Sequence, residues 1–309
     1  MPRYRLYGFT LQSDIALLAL PQIVGGDPAD ADVEISAGPV PETVHMATSF
    51  RNWEAEPGCF LSTFHETGRF LVSDGRHIRY DRFDGADDSQ VVSILLGTCM
   101  AALLMQRRIL PVHSCSVQTE GGAILVMGMS GAGKSTMLGG LLDLGLPMMA
   151  DDVTGLIFDT DGRPTALPAF PATRLWADSL RRLGHDAEGL PRVRTDMAKY
   201  YRAIDYFHPD PVPIRAIVYL QPTNLEQAAF TELDPAKRVE CLSRFVHRKN
   251  FLAGMELQRW AFQAAVETVR QVPMFHLMRP AHWVEPRELA EQVLGAIAQA
   301  ETAVEAAGQ

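Results

Sequence analysis

The sequence predicts an α/β protein, a sheet with helices on its faces, preceded by a smaller β-rich N-terminal domain. Three observations carry this. From Ser89 onward, short apolar runs of strand length alternate with longer helical segments, the pattern of helices flanking a sheet. Up to residue 86 the runs are all of strand length and are punctuated by Gly25, Gly26, Pro28, Pro39 and Pro41. A glycine-rich loop, residues 128–133, lies between a short apolar strand and a helical stretch without proline.

The elements follow in order. Residues 4–11, 31–35 and 60–64 read as strands. Residues 68–73 and 77–80 read as a hairpin turning at Asp74-Gly75, a dipeptide that accepts the positive φ values of a tight turn. The polar break at residues 84–89 places the domain boundary, giving domains 1–86 and 87–309, with Asp88 or Ser89 capping the next helix. That helix, 90–107, is followed by strands at 110–117 and 122–127, helix 134–144, and strands 147–150 and 153–158. A helix at 174–183 opens from a Pro-flanked loop. Strand 214–220, helices 235–247 and 255–270, strand 274–278 and a last helix from Pro286 complete the chain.

Composition narrows the function. The 309 residues are 47% hydrophobic and 21% charged, a globular balance. Net charge is −9, with 28 Lys and Arg against 37 Asp and Glu. This argues against a general nucleic-acid coat, which needs a basic face. The longest apolar stretch, residues 91–105, is shorter than the roughly 20 residues of a membrane span and reads as a buried helix. Cys59, Cys99, Cys115 and Cys241 form no CxxC pair, and residues 1–14 hold no continuous apolar core of a signal peptide. Reduced thiols and a cytoplasmic location are expected. The oligomeric state stays open, a homo-oligomer included.

The sharpest signal is Gly128-Met-Ser-Gly-Ala-Gly-Lys-Ser-Thr136, which fits GxxxxGK[ST]. Such a loop curls so that backbone N–H groups point at phosphate oxygens, at the positive end of a helix. Gly128, Ser130, Gly131, Ala132, Gly133, Lys134, Ser135 and Thr136 are therefore candidate binders of nucleotide phosphates. Lys134 supplies charge to the β- and γ-phosphates and Ser135 a hydroxyl to Mg²⁺. No NKxD-type guanine motif or LSGGQ-type signature occurs. Seventeen residues after Lys134, an apolar strand ends in Asp151-Asp152. Adjacent strand residues point to opposite sides, so one carboxylate can face the metal and the other the acceptor. His113 lies 21 residues before Lys134, where a neighbouring strand would bring it beside the pair. Arg174 and Lys199 are the next candidate cations over the γ-phosphate. Arg248 and Lys249 fit helix-end charges and Arg279 ends a strand. Trp176, Trp260 and Trp283 are expected to pack, and His247, His276 and His282 show no metal-site spacing.

His113, the glycine loop and Ala150-Asp151-Asp152 together resemble the catalytic domain of HPr kinase/phosphorylase, well over residues 105–160 and in outline elsewhere. The resemblance implies a P-loop kinase using ATP and Mg²⁺. Asp151 would be the general base, His113 its support, and Asp152 with Ser135 the metal ligands, with Lys134 in the phosphate loop; Arg174, chosen for its charge and not by the resemblance, would complete the catalytic set. The chain departs from the bacterial enzymes at Thr136, where they usually carry Glu. It departs again at residues 169–178, where their later glycine- and asparagine-rich signature is missing. Residues 4–14, 171–176 and 272–279 are similar to the HPr-kinase-like proteins of peptide-maturation clusters, some of which phosphorylate the C-terminal serine of a lasso-peptide precursor. The partner implied is a peptide or small protein bearing a serine; the position and different composition of the N-terminal domain suit it to help recruit that acceptor. A small-molecule kinase on the same fold and a nucleotide-switched regulator remain as alternatives.

Overall fold

A computed structural model of the chain describes residues 1–25, 30–44 and 47–307; the expected turn residues Gly26 and Pro28 lie outside them. The first eight strands are β1 (Arg3–Leu6), β2 (Phe9–Ser13), β3 (Val33–Ala37), β4 (Thr48–Phe50), β5 (Trp53–Glu56), β6 (Cys59–Phe64), β7 (Gly68–Ser73) and β8 (His77–Arg82). They form one sheet in the order β1-β2-β3-β8-β7-β6-β5-β4, antiparallel except where β3 joins β2 and β8. Asp74 and Gly75, at φ 54° and 60°, make the expected turn between β7 and β8. The single strand expected over residues 4–11 is instead two. The chain reverses at Tyr7-Gly8, with φ of 53° and 79°, and β1 pairs back onto β2. An aromatic side chain rarely adopts this conformation, so Gly8 alone marks the turn in the sequence.

Helix α1 (Asp88–Gln106) follows, with a π-helical turn at Leu95–Cys99. Its cap is Asp87, not Asp88 or Ser89: the Asp87 carboxylate accepts from the Ser89 amide at 2.8 Å. By length and composition alone this helix is apolar enough to cross a membrane. In the fold it is mostly buried, with Met100 to Met105 all inside the core, as an all-round apolar helix should be.

The remaining strands are β9 (Leu110–Val112), β10 (Ser114–Thr119), β11 (Gly122–Met127), β12 (Met148–Ala150), β13 (Thr154–Phe158), β14 (Pro164–Leu167), β15 (Ala172–Trp176), β16 (Lys199–Ala203), β17 (Val212–Thr223), β18 (Ala229–Glu232) and β19 (Met274–Pro280). The helices are α2 (Lys134–Asp143), α3 (Ala177–Arg182), α4 (Pro235–Arg244), α5 (Phe251–Gly254), α6 (Gln258–Gln271) and α7 (Pro286–Ala307). Nine strands form the second sheet, centred on the long β17. Over its first residues β17 pairs β14, and further along it pairs β19, with β11 along the opposite edge. Strand β11 alternates sides. Leu125 and Met127 join the apolar cluster that includes α1 and the first sheet. Ile124 and Val126 join a second cluster with Leu138 and Leu141 of α2 and Val293 and Ile297 of α7. The first cluster runs without a gap from Phe60 and Phe70 to Met274. At one of its margins Phe60 packs on Phe251, ring centres 4.3 Å apart.

Two expectations for this half are corrected. The run 110–117 is not one strand: it breaks at His113, leaving β9 paired with β13 and β10 paired with β12. The helix expected over 174–183 begins only at Ala177, because Arg174 lies in β15, which pairs residue for residue with β16.

Candidate active site

The break at His113 is matched by a break at residues 151–153, between β12 and β13. The two stretches run antiparallel and part at the same level, beside the glycine loop. Asp152 takes a left-handed φ of 77° there. This turn, rather than the alternation of a continuous strand, sends the two carboxylates different ways.

The loop itself is built as the motif requires. A Cβ on Gly128 would come 2.8 Å from the Leu220 carbonyl oxygen of β17, and one on Gly133 would crowd the Arg279 guanidinium at 3.2 Å. Gly133 also has φ 105° and precedes the first turn of α2. The buried Lys134 ammonium donates to the Gly128 carbonyl at 2.8 Å and the Met129 carbonyl at 3.3 Å, and meets His113 Nε2 at 3.0 Å. An ammonium only donates, so Nε2 accepts and the His113 proton sits on Nδ1. That nitrogen then donates to the Asp152 carbonyl at 2.9 Å, with the Asp152 carboxylate at 3.5 Å. Burial, then Lys134, hold His113 below its ordinary pKa, consistent with a neutral ring.

Asp151 is buried. Its carboxylate accepts from Ser135 Oγ at 3.2 Å and from the Arg174 amide at 2.7 Å. Burial raises its pKa. Asp152 receives the Arg174 side chain at 3.1 Å instead. Burial pushes Asp152 up, but Arg174, Lys199, His113 and His247 outweigh it and hold the carboxyl at about 2. The pair is thus pushed in opposite directions, a mark of two carboxylates with separate tasks. Arg174 is itself clamped, its guanidinium 5.6 Å from the Phe170 ring centre and 5.8 Å from that of Tyr201.

A cavity of about 270 Å³ unites these groups. Its lining includes Ser130, Gly131, Gly133, Lys134, Ser135 and Thr136 with His113, Asp152 and Arg174. Lys199 and Arg279 line it too. Ala132 bounds it indirectly, its carbonyl accepting from Arg279 Nε at 2.9 Å. Gly128 and Asp151 do not line it and reach it only through Lys134 and Ser135, which they hydrogen-bond; the pairings also differ from those expected. Ser135 meets Asp151 rather than Asp152, and His113 meets Asp152 rather than Asp151. Two tryptophans expected to pack, Trp176 and Trp283, also line the cavity, 51% and 44% exposed. Trp260 does not line it; it carries Arg108 over its ring at 5.5 Å.

Residues with no signal in the sequence complete the surroundings. His247 places its ring 5.9 Å from that of His113. Tyr7, in the β1–β2 turn, donates its buried hydroxyl to the Val153 carbonyl at 3.1 Å, one residue beyond Asp152. Only the tertiary fold brings these segments together.

For Mg²⁺ the fit is direct. Ser135 Oγ and Asp151 Oδ1 are adjacent hard oxygen donors beside the phosphate loop, the set suited to an ion that shares its shell with phosphate and water. Among the described residues no group of three or more His, Cys, Asp or Glu could hold a metal without such help.

No family model matches the chain, and no curated protein matches it. Among solved structures, the Hpr(Ser) kinase/phosphatase from Coxiella burnetii is similar over 63% of this chain and 98% of that one, at 10% identity and a TM-score of 0.33. At that score the likeness carries no weight for function, which is read from the site.

Proposed function

We propose that this protein is an ATP- and Mg²⁺-dependent kinase that phosphorylates a serine hydroxyl of a peptide or small protein. The observation that carries the reading is the meeting of two unlike groups in one cavity: a GxxxxGK[ST] loop, and a carboxylate, Asp152, held between His113 and Arg174. A phosphate binder alone needs only the first.

The geometry favours an exchange of the roles carried over by resemblance. Ser135 and Asp151 are the residues to hold Mg²⁺, which when bound would neutralise charge on the phosphate oxygens. Asp152 is the residue to take the acceptor proton. The loop amides and Lys134 orient the triphosphate. The acceptor oxygen attacks the γ-phosphorus, the bond to the bridging oxygen breaks, and ADP leaves with that electron pair. The hydroxyl proton passes to Asp152. Arg174 keeps Asp152 in place and ionised, and the neutral His113 fixes the turn that presents it. Lys199, on the same side, faces the charge that develops.

The narrower reading, a lasso-peptide precursor phosphorylated on its C-terminal serine, rests on the similar segments at 4–14, 171–176 and 272–279. Intact mass spectrometry of such a peptide with ATP and Mg²⁺ tests both levels. A gain of about 80 Da per phosphate, absent with Lys134→Ala, is expected. ADP release driven by a metabolite and not by peptide would point to a small-molecule kinase. Nucleotide binding with no acceptor-dependent ADP release would point to a switch.

A further inference from the structure

The cavity extends past the phosphate loop to a wall formed by α3 and the segment after β19. Trp283 stands on this wall, four residues beyond Arg279, which packs against Gly133 of the loop. Arg182, at the end of α3, places its guanidinium 5.5 Å from the Trp283 ring centre. The indole nevertheless stays 44% exposed. A large aromatic left uncovered inside a cleft has no packing rationale, since burying it against neighbours would be favourable. It does have a binding rationale: every nucleobase presents a π-face, and stacking on an aromatic side chain reinforced by arginine is a general way to hold one.

We propose that Trp283, backed by Arg182, is the platform for the nucleobase of the bound nucleoside triphosphate. The assignment rests on the kinase reading for the phosphate end and adds the other end of the same ligand. It also names the nucleotide class. The side chains beside the platform are Ser179, Arg182, His282 and Val284. Among the described residues lining the cavity Asp152 is the one carboxylate, and it belongs to the opposite wall. Among the described residues that line the cavity beside Trp283, none is an acidic side chain to accept from guanine N1 and N2, and none is a side-chain amide to pair with adenine. Stacking therefore dominates, and ATP and GTP bind with affinities within about 5-fold of each other.

The test compares ATP, GTP and inorganic tripolyphosphate by calorimetry on the full chain with Mg²⁺. Trp283→Ala should weaken ATP and GTP about 10-fold each and leave tripolyphosphate within about 2-fold. Trp283→Phe, which keeps a π-face, should retain nucleotide binding within about 3-fold and lose the part of the tryptophan fluorescence change expected from Trp283 when ATP binds the parent protein, measured in a Trp176→Phe background. Equal losses for tripolyphosphate and ATP would make Trp283 a support of the loop and overturn the proposal, as would unchanged ATP binding in Trp283→Ala. A protein that binds ATP through Trp283 but transfers no phosphate would sink the kinase reading and leave the platform standing. A parent protein that binds neither ATP nor tripolyphosphate would overturn both.

Discussion

The phosphate wall of the cavity comes from nine consecutive residues, 128–136, whereas the acceptor wall gathers His113, Asp152, Arg174 and Lys199 from four separate segments. The first wall works through backbone amides and a helix start, which local sequence alone can shape. The second works through side chains that must be held against one another in a partly buried place, where a misplaced charge is costly. Its members are fixed by tertiary contacts: the shared strand break, the β15–β16 pairing and the Tyr7 hydroxyl on Val153. Substitution in the phosphate wall should therefore abolish ligand binding. Substitution in the acceptor wall should spare binding and damage transfer.

The largest contrast is between Asp152 and Asp151. Asp152→Asn should lower kcat by about 10³-fold, within the range for loss of a general base, with ATP affinity nearly unchanged. Asp151→Asn should instead raise the Mg²⁺ concentration needed for half-maximal rate, measured by titrating the metal at saturating ATP. The reverse pattern would return the base to Asp151. Lys134→Ala marks the other wall, with binding of ATP itself lost in calorimetry.

Arg174 comes next. Lysine keeps the charge but not the planar guanidinium that lies against Phe170 and Tyr201 while it reaches Asp152. Arg174→Lys should lower kcat by about 30-fold while KM for ATP changes little, with a loss of stability near 1 kcal/mol. A fall in ATP affinity as large as the fall in kcat would mean that Arg174 serves the phosphate wall.

The same contrast decides what was legible in the sequence. The glycine loop could be read because its chemistry is contiguous, and β11 and α2 around it carry plain apolar patterns. Asp151, Asp152 and His113 could be recognised as members of a site by their spacing from Lys134. Their partners could not. Which carboxylate meets Ser135 depends on the left-handed turn at Asp152, and residues 150–153 carry no glycine or asparagine to announce it. The break at His113 is hidden inside the strand expected over 110–117, because pairing to two sets of strands, not residue type, causes it. Arg174 falls inside the helix expected over 174–183, whereas cross-strand pairing with Tyr201 fixes it in β15. The two exposed tryptophans read as packing residues because exposure is a property of neighbours.

Tyr7 sharpens the comparison from the first sheet. Its hydroxyl reaches from the β1–β2 turn to the residue after Asp152, and it is held there by a backbone φ of 53° that costs about 1 kcal/mol for a side chain of this size. Tyr7→Phe removes one hydrogen bond, worth about 1 kcal/mol, and leaves the ring packing. The expected result is a fall in kcat of about 3-fold at unchanged KM for ATP. An unchanged kcat would confine Tyr7 to stability and separate the first sheet from the acceptor wall.

The smallest effect concerns His247, which packs beside His113. Burial first, with Arg248, His113 and Arg174 adding repulsion against the attraction of Asp152, lowers its pKa from 6.5 to about 4. The unfolded chain therefore takes up this proton first. Stability contributed by the neutral ring is present above pH 6.5, and it falls as the pH drops from 6.5 toward about 4. His247→Gln keeps a polar side chain but cannot titrate. Melts at pH 7.5 and pH 5 should show a smaller drop in Tm for the variant than for the parent, by a few degrees at most. Equal drops would mean that the ring is charged in the folded protein, with Asp152 balancing it, and the acceptor wall would then carry one more positive charge than the neutral-ring arrangement allows.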